Sequence, residues 1–316
     1  MSNLKKIAFD YPRLKLTELY FNPQIDLPNE GVALPQLREV FGRDLMFGAF
    51  PEDRPYAYNS LVMSVDGKIA FADAPQGPLV ARNNKFAGDG SMVDYWILNV
   101  LRGSADAILC GTQSIAKEVG SGGTGHCYDA NISAHRVDRH KNEIPWRIVV
   151  TLDGTDIAFE AAQFTHPEMP SFFYTTSAGI EHIRSHSSKE TVVIGPFDDI
   201  GSVDVGEFVY DPQKSYILVT NRERKFDNKI GMKILKKLGV DTLLVESPTV
   251  THIFMKEGLM DELFLNQSGL YIGGDATSIG QRCEPFSSIL HPHTELVSIY
   301  MHSPHFIYCR YRLNYE

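Results

Sequence analysis

Four places in the chain set hydroxyls, glycine or a carboxylate directly after a short apolar run: Gly111-Thr112-Gln113-Ser114, Thr151-Leu152-Asp153-Gly154, Thr175-Thr176-Ser177 and Glu246-Ser247-Pro248-Thr249, with Val250 opening the helical stretch behind the last. Where strands alternate with helices, ligands gather beyond the carboxyl ends of the strands, so these residues are where chemistry is expected. Three of the four offer hydroxyls and backbone N–H groups at or just before a helix start, which suits the oxygens of a phosphate-bearing cofactor. Taken singly each is weak, because a Ser or Thr there most often only caps a helix.

Two carboxylates are the candidates for catalysis. Asp66, in an Asp-Gly turn closing a strand, could donate or orient a proton if an apolar pocket raises its pKa; a purely structural turn is an equal reading. Glu246 ends the most apolar strand, and a structural glutamate there would need a partner to offset burial, so function is favoured. Arg102 closes an amphipathic helix, where a cation complements the dipole and could equally take a phosphate bidentately. The histidines (His126, His135, His140, His291, His293, His302, His305) sit in loop-like settings without helical His-x-x-x-His spacing, so no metal is expected. The four cysteines form no Cys-x-x-Cys pair; Cys110 and Cys309 read as core. Neither G-x-G-x-x-G nor a P-loop occurs in its needed context, and the glycine-rich run 120–125 follows no strand directly, reading as a lid or loop.

Stepping outward along the chain, Ala57 to Ser64 reads as a strand closed by Asp66-Gly67. Ser91 to Arg102 carries a broad apolar stripe, with Trp96 on it and Ser91 or Asp89 as cap. Further strands are expected at 105–110, 147–151, 171–176, 191–194, 216–220, 242–246 and 262–268, with helices at 229–238 and 250–256. This alternation predicts an α/β fold with a mixed, mostly parallel central sheet, helices on both faces and an antiparallel hairpin over 295–313. Residues 1–54, rich in proline, read as an N-terminal extension packing on a main domain of 55–316, and 196–226 reads as an insertion.

The stretches 63–70 (MSVDGKIA), 101–112 (LRGSADAILCGT), Leu244-Val245-Glu246, 257–263 (EGLMDEL) and Gly273-Gly274 resemble the reductase domain of the riboflavin biosynthesis deaminase/reductase, from about Arg54 to the C-terminus and in the family's order. The resemblance implies the dihydrofolate-reductase-like fold, a homodimer, and NADPH-dependent hydride transfer to C1′ of a ribosylamino-pyrimidinedione phosphate. It also implies cofactor contacts from Ser114 and Glu118, an adenosine end near Thr151 to Gly154, and substrate contacts from Arg102 and Glu246. Where many members carry a lysine in the first strand this chain has Ser60, with Asn59 the nearest polar replacement and Ser64 further along. The usual Glu-Gly-Gly-Pro-Thr is shortened to Glu246-Ser247-Pro248-Thr249, and the substrate-phosphate arginine is missing. Asp153, near the expected 2′-phosphate, would repel it and shift preference toward NADH. A pteridine-type reductase and a non-catalytic dinucleotide-binding protein are the alternatives.

With 39 acidic and 30 basic residues, a formal charge of -9 and no dense basic block, nucleic acid is an unfavourable partner. The longest basic stretch, Arg222 to Lys229, is broken by Glu223 and Asp227 and reads as a solvated loop. No apolar run reaches a membrane span and Met1 to Asp10 lacks a secretory core, which predicts a cytoplasmic protein. The zinc-deaminase His-x-Glu and Pro-Cys-x-x-Cys pattern is absent from the sequence.

Overall fold

The computed structural model describes residues 2–120 and 123–315, with the side chain of Glu118 outside that description. Its strands are β1 (Thr17–Phe21), β2 (Asn29–Val32), β3 (Leu45–Phe47), β4 (Tyr56–Asn59), β5 (Leu61–Met63), β6 (Ala107–Gly111), β7 (Trp146–Val150), β8 (Ser171–Thr175), β9 (Glu190–Ile194), β10 (Lys214–Val219), β11 (Thr242–Glu246), β12 (Glu262–Ser268), β13 (His293–Ser303) and β14 (Phe306–Asn314). The helices are α1 (Pro35–Phe41), α2 (Pro78–Arg82), α3 (Gly90–Ser104), α4 (Thr112–Glu118), α5 (Ala130–Asp138), α6 (Ala162–Thr165), α7 (Ile180–His186), α8 (Asn228–Lys237) and α9 (Pro248–Lys256).

Twelve strands form one sheet in the order β1-β13-β14-β12-β4-β11-β6-β7-β8-β10-β9, with β5 continuing β4 alongside β12. The run from β12 to β9 is parallel. The β13–β14 hairpin adds antiparallel strands, and β1 pairs antiparallel with β13 at the edge. The central strands read as continuous apolar runs because both faces are covered. Alternate residues point to opposite faces: Leu244, Ile108 and Tyr58 pack with α3 and with Ile132 of α5, while Leu243, Val245 and Leu109 pack with Ile230, Ile234 and Leu235 of α8 and Phe254 of α9. Glycine at 103 lets α3 approach α5, since a Cβ there would run into Ile132.

Several expectations need correction. The single strand over 57–64 is two, broken at Ser60. Neither Asp89 nor Ser91 caps α3 with its side chain; Asp89 instead takes a bidentate pair from Arg13. His135 is helical, within α5. The span 196–226 contains a 3-10 turn at Ile200–Ser202 and the strand expected near 216–220, which is β10, hydrogen-bonded between β8 and β9. The glycine-rich 120–125 run contains Ser121 and Gly122, which lie outside the described residues.

The N-terminal segment starts against α5 and its flanks, where Ser2 donates to Glu143 and Ile7 N to Tyr128 O, and continues to the antiparallel edge, where β1 pairs with β13. Arg310 of β14 is its anchor: the guanidinium donates to both oxygens of Glu262 and to the Met46 carbonyl at 2.7 Å, and Tyr56 donates to Glu262 at 2.8 Å. Glu262 is fully buried, a position a carboxylate holds only with such partners. Among the described residues no helix is long and apolar enough to cross a membrane, and no group of three or more His, Cys, Asp or Glu is placed to hold a metal ion.

Candidate active site

The chain leaves β6 through α4 and α5 toward β7, but leaves β11 through α9 toward β12, on the other side of β4. Since α5 covers one face and α9 the other, the connections diverge between β6 and β11. Such a divergence opens a crevice at the carboxyl ends of the two strands. Its walls are Gly111-Thr112 and Glu246-Ser247, which stand in register through the Glu246 to Cys110 pair. A Cβ built on Gly111 would lie 3.4 Å from Ser247 Oγ, in ordinary contact, so the two walls face each other across about one side chain's width. Ser247 caps α9, accepting from Val250 N at 3.4 Å, with Pro248 at the first turn and Thr249 exposed.

The other predicted ends line the same rim. Val150 pairs with Gly111 on one side and Tyr174 on the other, which puts Thr151 to Gly154 and Thr175-Thr176 next in order along it. Their hydroxyls are spent on each other's loops. Thr112 and Thr151 donate to the two oxygens of Asp156 at 2.6 and 2.5 Å, and Thr175 and Thr176 donate to the Leu152 carbonyl at 3.2 and 2.9 Å. These residues therefore shape the ledge and fix its backbone, while Ser114 faces solvent from α4. Sequence reasoning missed Asp156; only the fold reveals that two hydroxyls from neighbouring strands converge on it.

Glu246 and Arg102 do meet, as an ion pair: Arg102 Nε and Nη2 donate to the carboxylate at 2.6 and 2.8 Å, and Arg147 Nη1 stands 3.5 Å from it. The side chains are 14% and 7% exposed. Burial alone would raise the Glu246 pKa, but Arg102 and Arg147 outweigh it and hold it below the ordinary value. The partner that a structural glutamate requires is thus present, which removes the argument that had favoured Glu246 as a free catalytic group.

Asp66 has partners of its own. Its carboxylate accepts from Ser64 Oγ at 2.6 Å, Ile272 N at 3.1 Å and Gly273 N at 2.7 Å, and these donors, Ser64 foremost, lower its pKa to about 2 instead of raising it. It ties the turn after β5 to the 270–274 loop and holds no proton to give. Ser64 is fully buried in that contact. Asn59, also buried, accepts from Phe264 N at 2.9 Å through its amide oxygen.

A second missed carboxyl is Asp94. It lies on the stripe of α3 shared by Ile97 and Leu101, beside Asn266 of β12, whose amide donates to it at 2.7 Å. Asn266 pairs with Val62 of β5. Burial pushes the Asp94 pKa up to about 6 against the pull of that amide. The sequence signal was an acid set among the apolar residues of the α3 stripe, between Val93 and Tyr95.

Asp153 does not stand alone either: Arg224, from the loop between β10 and α8, pairs with it. Three cavities, of about 610, 250 and 710 Å3, lie under β9, beneath the N-terminal segment and against α1, and none is lined by the predicted site residues.

The family model of the RibD C-terminal domain matches residues 55–308. Among solved structures, a pyrimidine reductase-like protein of Corynebacterium diphtheriae aligns over 85% of this chain and 97% of its own, at 18% identity and TM-score 0.59. Acinetobacter baumannii RibD aligns at 14% identity and TM-score 0.54, over 83% of this chain and 59% of its own. The diaminohydroxyphosphoribosylaminopyrimidine deaminase/5-amino-6-(5-phosphoribosylamino)uracil reductase of Thermotoga maritima aligns at 15% identity and TM-score 0.52, over 82% and 56%. The chain thus spans somewhat over half the length of the latter two. No curated protein matches.

Proposed function

Since the chain belongs to the RibD C-terminal domain family and is thereby an oxidoreductase of the aminoribosylaminouracil reductase type, we propose that it is an NADPH-dependent reductase acting on the ribose C1′ of a ribosylamino-pyrimidinedione phosphate or a related heterocycle. The observation that carries this reading is the divergence of the connections between β6 and β11, which sets Gly111 facing Ser247 at the carboxyl ends of the two strands. The remaining rim backbone extends from it over β7 and β8 as a ledge long enough to be shared by several parts of a dinucleotide. When bound, the cofactor supplies the hydride.

The protein's own share is positioning and proton supply. The Asp156 clamp fixes the loops after β6 and β7 relative to each other, so the ledge needs no reorganisation on binding. The Glu246–Arg102 pair braces the end of β11 against α3. Adding hydride to a C=N carbon requires a proton at nitrogen, and Asp94, which stands on α3 against the Asn266 amide with its pKa raised to about 6 by burial, is a carboxyl that can hold one near neutrality.

The test is NADPH oxidation, followed by the loss of the reduced nicotinamide absorbance, with 5-amino-6-(5-phosphoribosylamino)uracil. Turnover supports the proposal; tight NADPH binding without consumption of cofactor on that compound or on a dihydropterin supports the second reading, a non-catalytic dinucleotide binder. That second reading draws on the internal pairing of Glu246, Arg102 and Asp66. The proposal extends to a cytosolic homodimer, whose mass sedimentation equilibrium measures.

A further inference from the structure

The loops after β5 and β12 are sewn together over one half of the rim. Val65 N donates to Leu270 O and Ile69 N to Thr277 O, Lys68 bridges to Ser278, and Asp66 holds Ile272 and Gly273. A dinucleotide entering the β6–β11 crevice therefore has its long axis directed the other way, across β7, β8 and β10.

At that far end the loop 220–227 folds back on the rim. Ser177 donates both its N–H and its hydroxyl to the Asn221 carbonyl, and Thr220 N donates to Thr175 O. This closes the loop over the end of β8 and delivers Arg224 to Asp153. Asp153 is further held by Thr155, whose N–H and hydroxyl donate to its other oxygen at 3.1 and 2.6 Å. The Arg224 side chain is 67% exposed while that of Asp153 is 18% exposed. So Asp153 sits beneath and Arg224 presents its outer side to solvent. Arg222 on the same loop is engaged by Asp198 at 2.7 Å.

We propose that Arg224 is the residue that selects NADPH over NADH, with Asp153 as the positioning residue that holds its guanidinium at the ledge. A guanidinium offers five donors, of which the carboxylate occupies a minority, and a phosphate dianion takes the rest in a fork that a hydroxyl cannot exploit. Asp153 opposes the dianion and Arg224 reverses that opposition. The basic stretch that reads as a bland solvated loop in the sequence thereby acquires a ligand, and the expected lean toward NADH is withdrawn. This inference rests on the reductase reading, in particular on a dinucleotide occupying the rim.

The experiment is isothermal titration of NADPH, NADH, 2′,5′-ADP and 5′-AMP into the full chain and into Arg224→Ala, Arg224→Lys and Asp153→Asn. Arg224→Ala is expected to weaken NADPH and 2′,5′-ADP by at least about tenfold, the loss of one charge-assisted fork, while NADH and 5′-AMP stay within about twofold. Arg224→Lys recovers part of the loss, and Asp153→Asn, which releases the guanidinium from its anchor, lowers the NADPH-to-NADH ratio toward that of Arg224→Ala while NADH binding itself stays within about twofold. All four ligands binding the wild type, with an NADPH-to-NADH ratio unmoved by Arg224→Ala, overturns this assignment alone. Failure of the wild type to bind either dinucleotide overturns it together with the reductase reading. Arg224 is exposed, so its variants fold; a thermal melt identical to wild type checks this.

Discussion

Glu246, Arg102, Asp66 and Asp94 show how far a residue's type carries and where its neighbours take over. The sequence singled out three of them correctly as charged groups at strand or helix ends, but a carboxylate's use depends on what faces it across the fold. Arg102 and Arg147 lie 144 and 99 positions from Glu246, and nothing local announces them. Removing one partner of this largely buried pair leaves an uncompensated charge, so Arg102→Ala is expected to lower stability by about 3–5 kcal/mol in denaturant unfolding. Asp94 behaves oppositely to Asp66. Its folded pKa, about 6, lies above the ordinary 3.8, so the folded chain binds this proton more tightly than the unfolded one; the contribution is full below pH 4 and is lost as pH rises through 6. Asp94→Asn should flatten that slope in melts recorded from pH 4 to 7. It should also abolish the fall in kcat above pH 6 that a proton donor imposes, together with most of the rate. Asp66, lowered to about 2, contributes stability above pH 4 that fades as pH falls toward 2, and Asp66→Asn should remove that acid-side loss.

Among the elements, the strands were legible because burial on both faces writes an uninterrupted apolar run, as in Ala107–Gly111 and Thr242–Glu246. The amphipathic α8 was legible for the same kind of reason, its buried Ile230, Ile234 and Leu235 recurring at helical spacing. Short α5 and α7 were not, since each buries a single large apolar residue, Ile132 and Ile183, and a lone contact leaves no period to read. The carboxyl-end clusters were visible as types, yet their hydroxyls turned out to join loops to loops, an arrangement set by strand order that sequence does not display. Where elements meet closely, glycine reports it. Gly103→Ala should cost about 1–3 kcal/mol by forcing α3 from α5. Gly111→Val should leave the melting temperature nearly unchanged, because the gap it fills toward Ser247 is a crevice and not core, while dinucleotide affinity drops below detection in titration.

At the scale of the whole molecule, the order of strands decides where chemistry is possible. A parallel run flanked by crossovers that part between β6 and β11 yields one crevice, the sewn β5 and β12 loops close its one side, and the β7 to β10 ledge leaves the other open. The N-terminal segment completes the opposite edge through β1 on β13 and Met46 on Arg310, contacts outside the 55–308 span of the family match. Beginning the chain at residue 55 should therefore expose the β13 edge and the Glu262–Arg310 pair, giving a lower melting temperature and aggregation visible by light scattering. The claim on which everything else depends is that the dinucleotide lies along this rim, and amide hydrogen exchange with and without NADPH reads it directly. Slowed exchange in 109–115, 150–156, 175–178 and 246–251, with the arm and β13–β14 unchanged, is the result this account predicts. Protection confined to the cavity beneath the N-terminal segment, or to any surface away from those four segments, would contradict it.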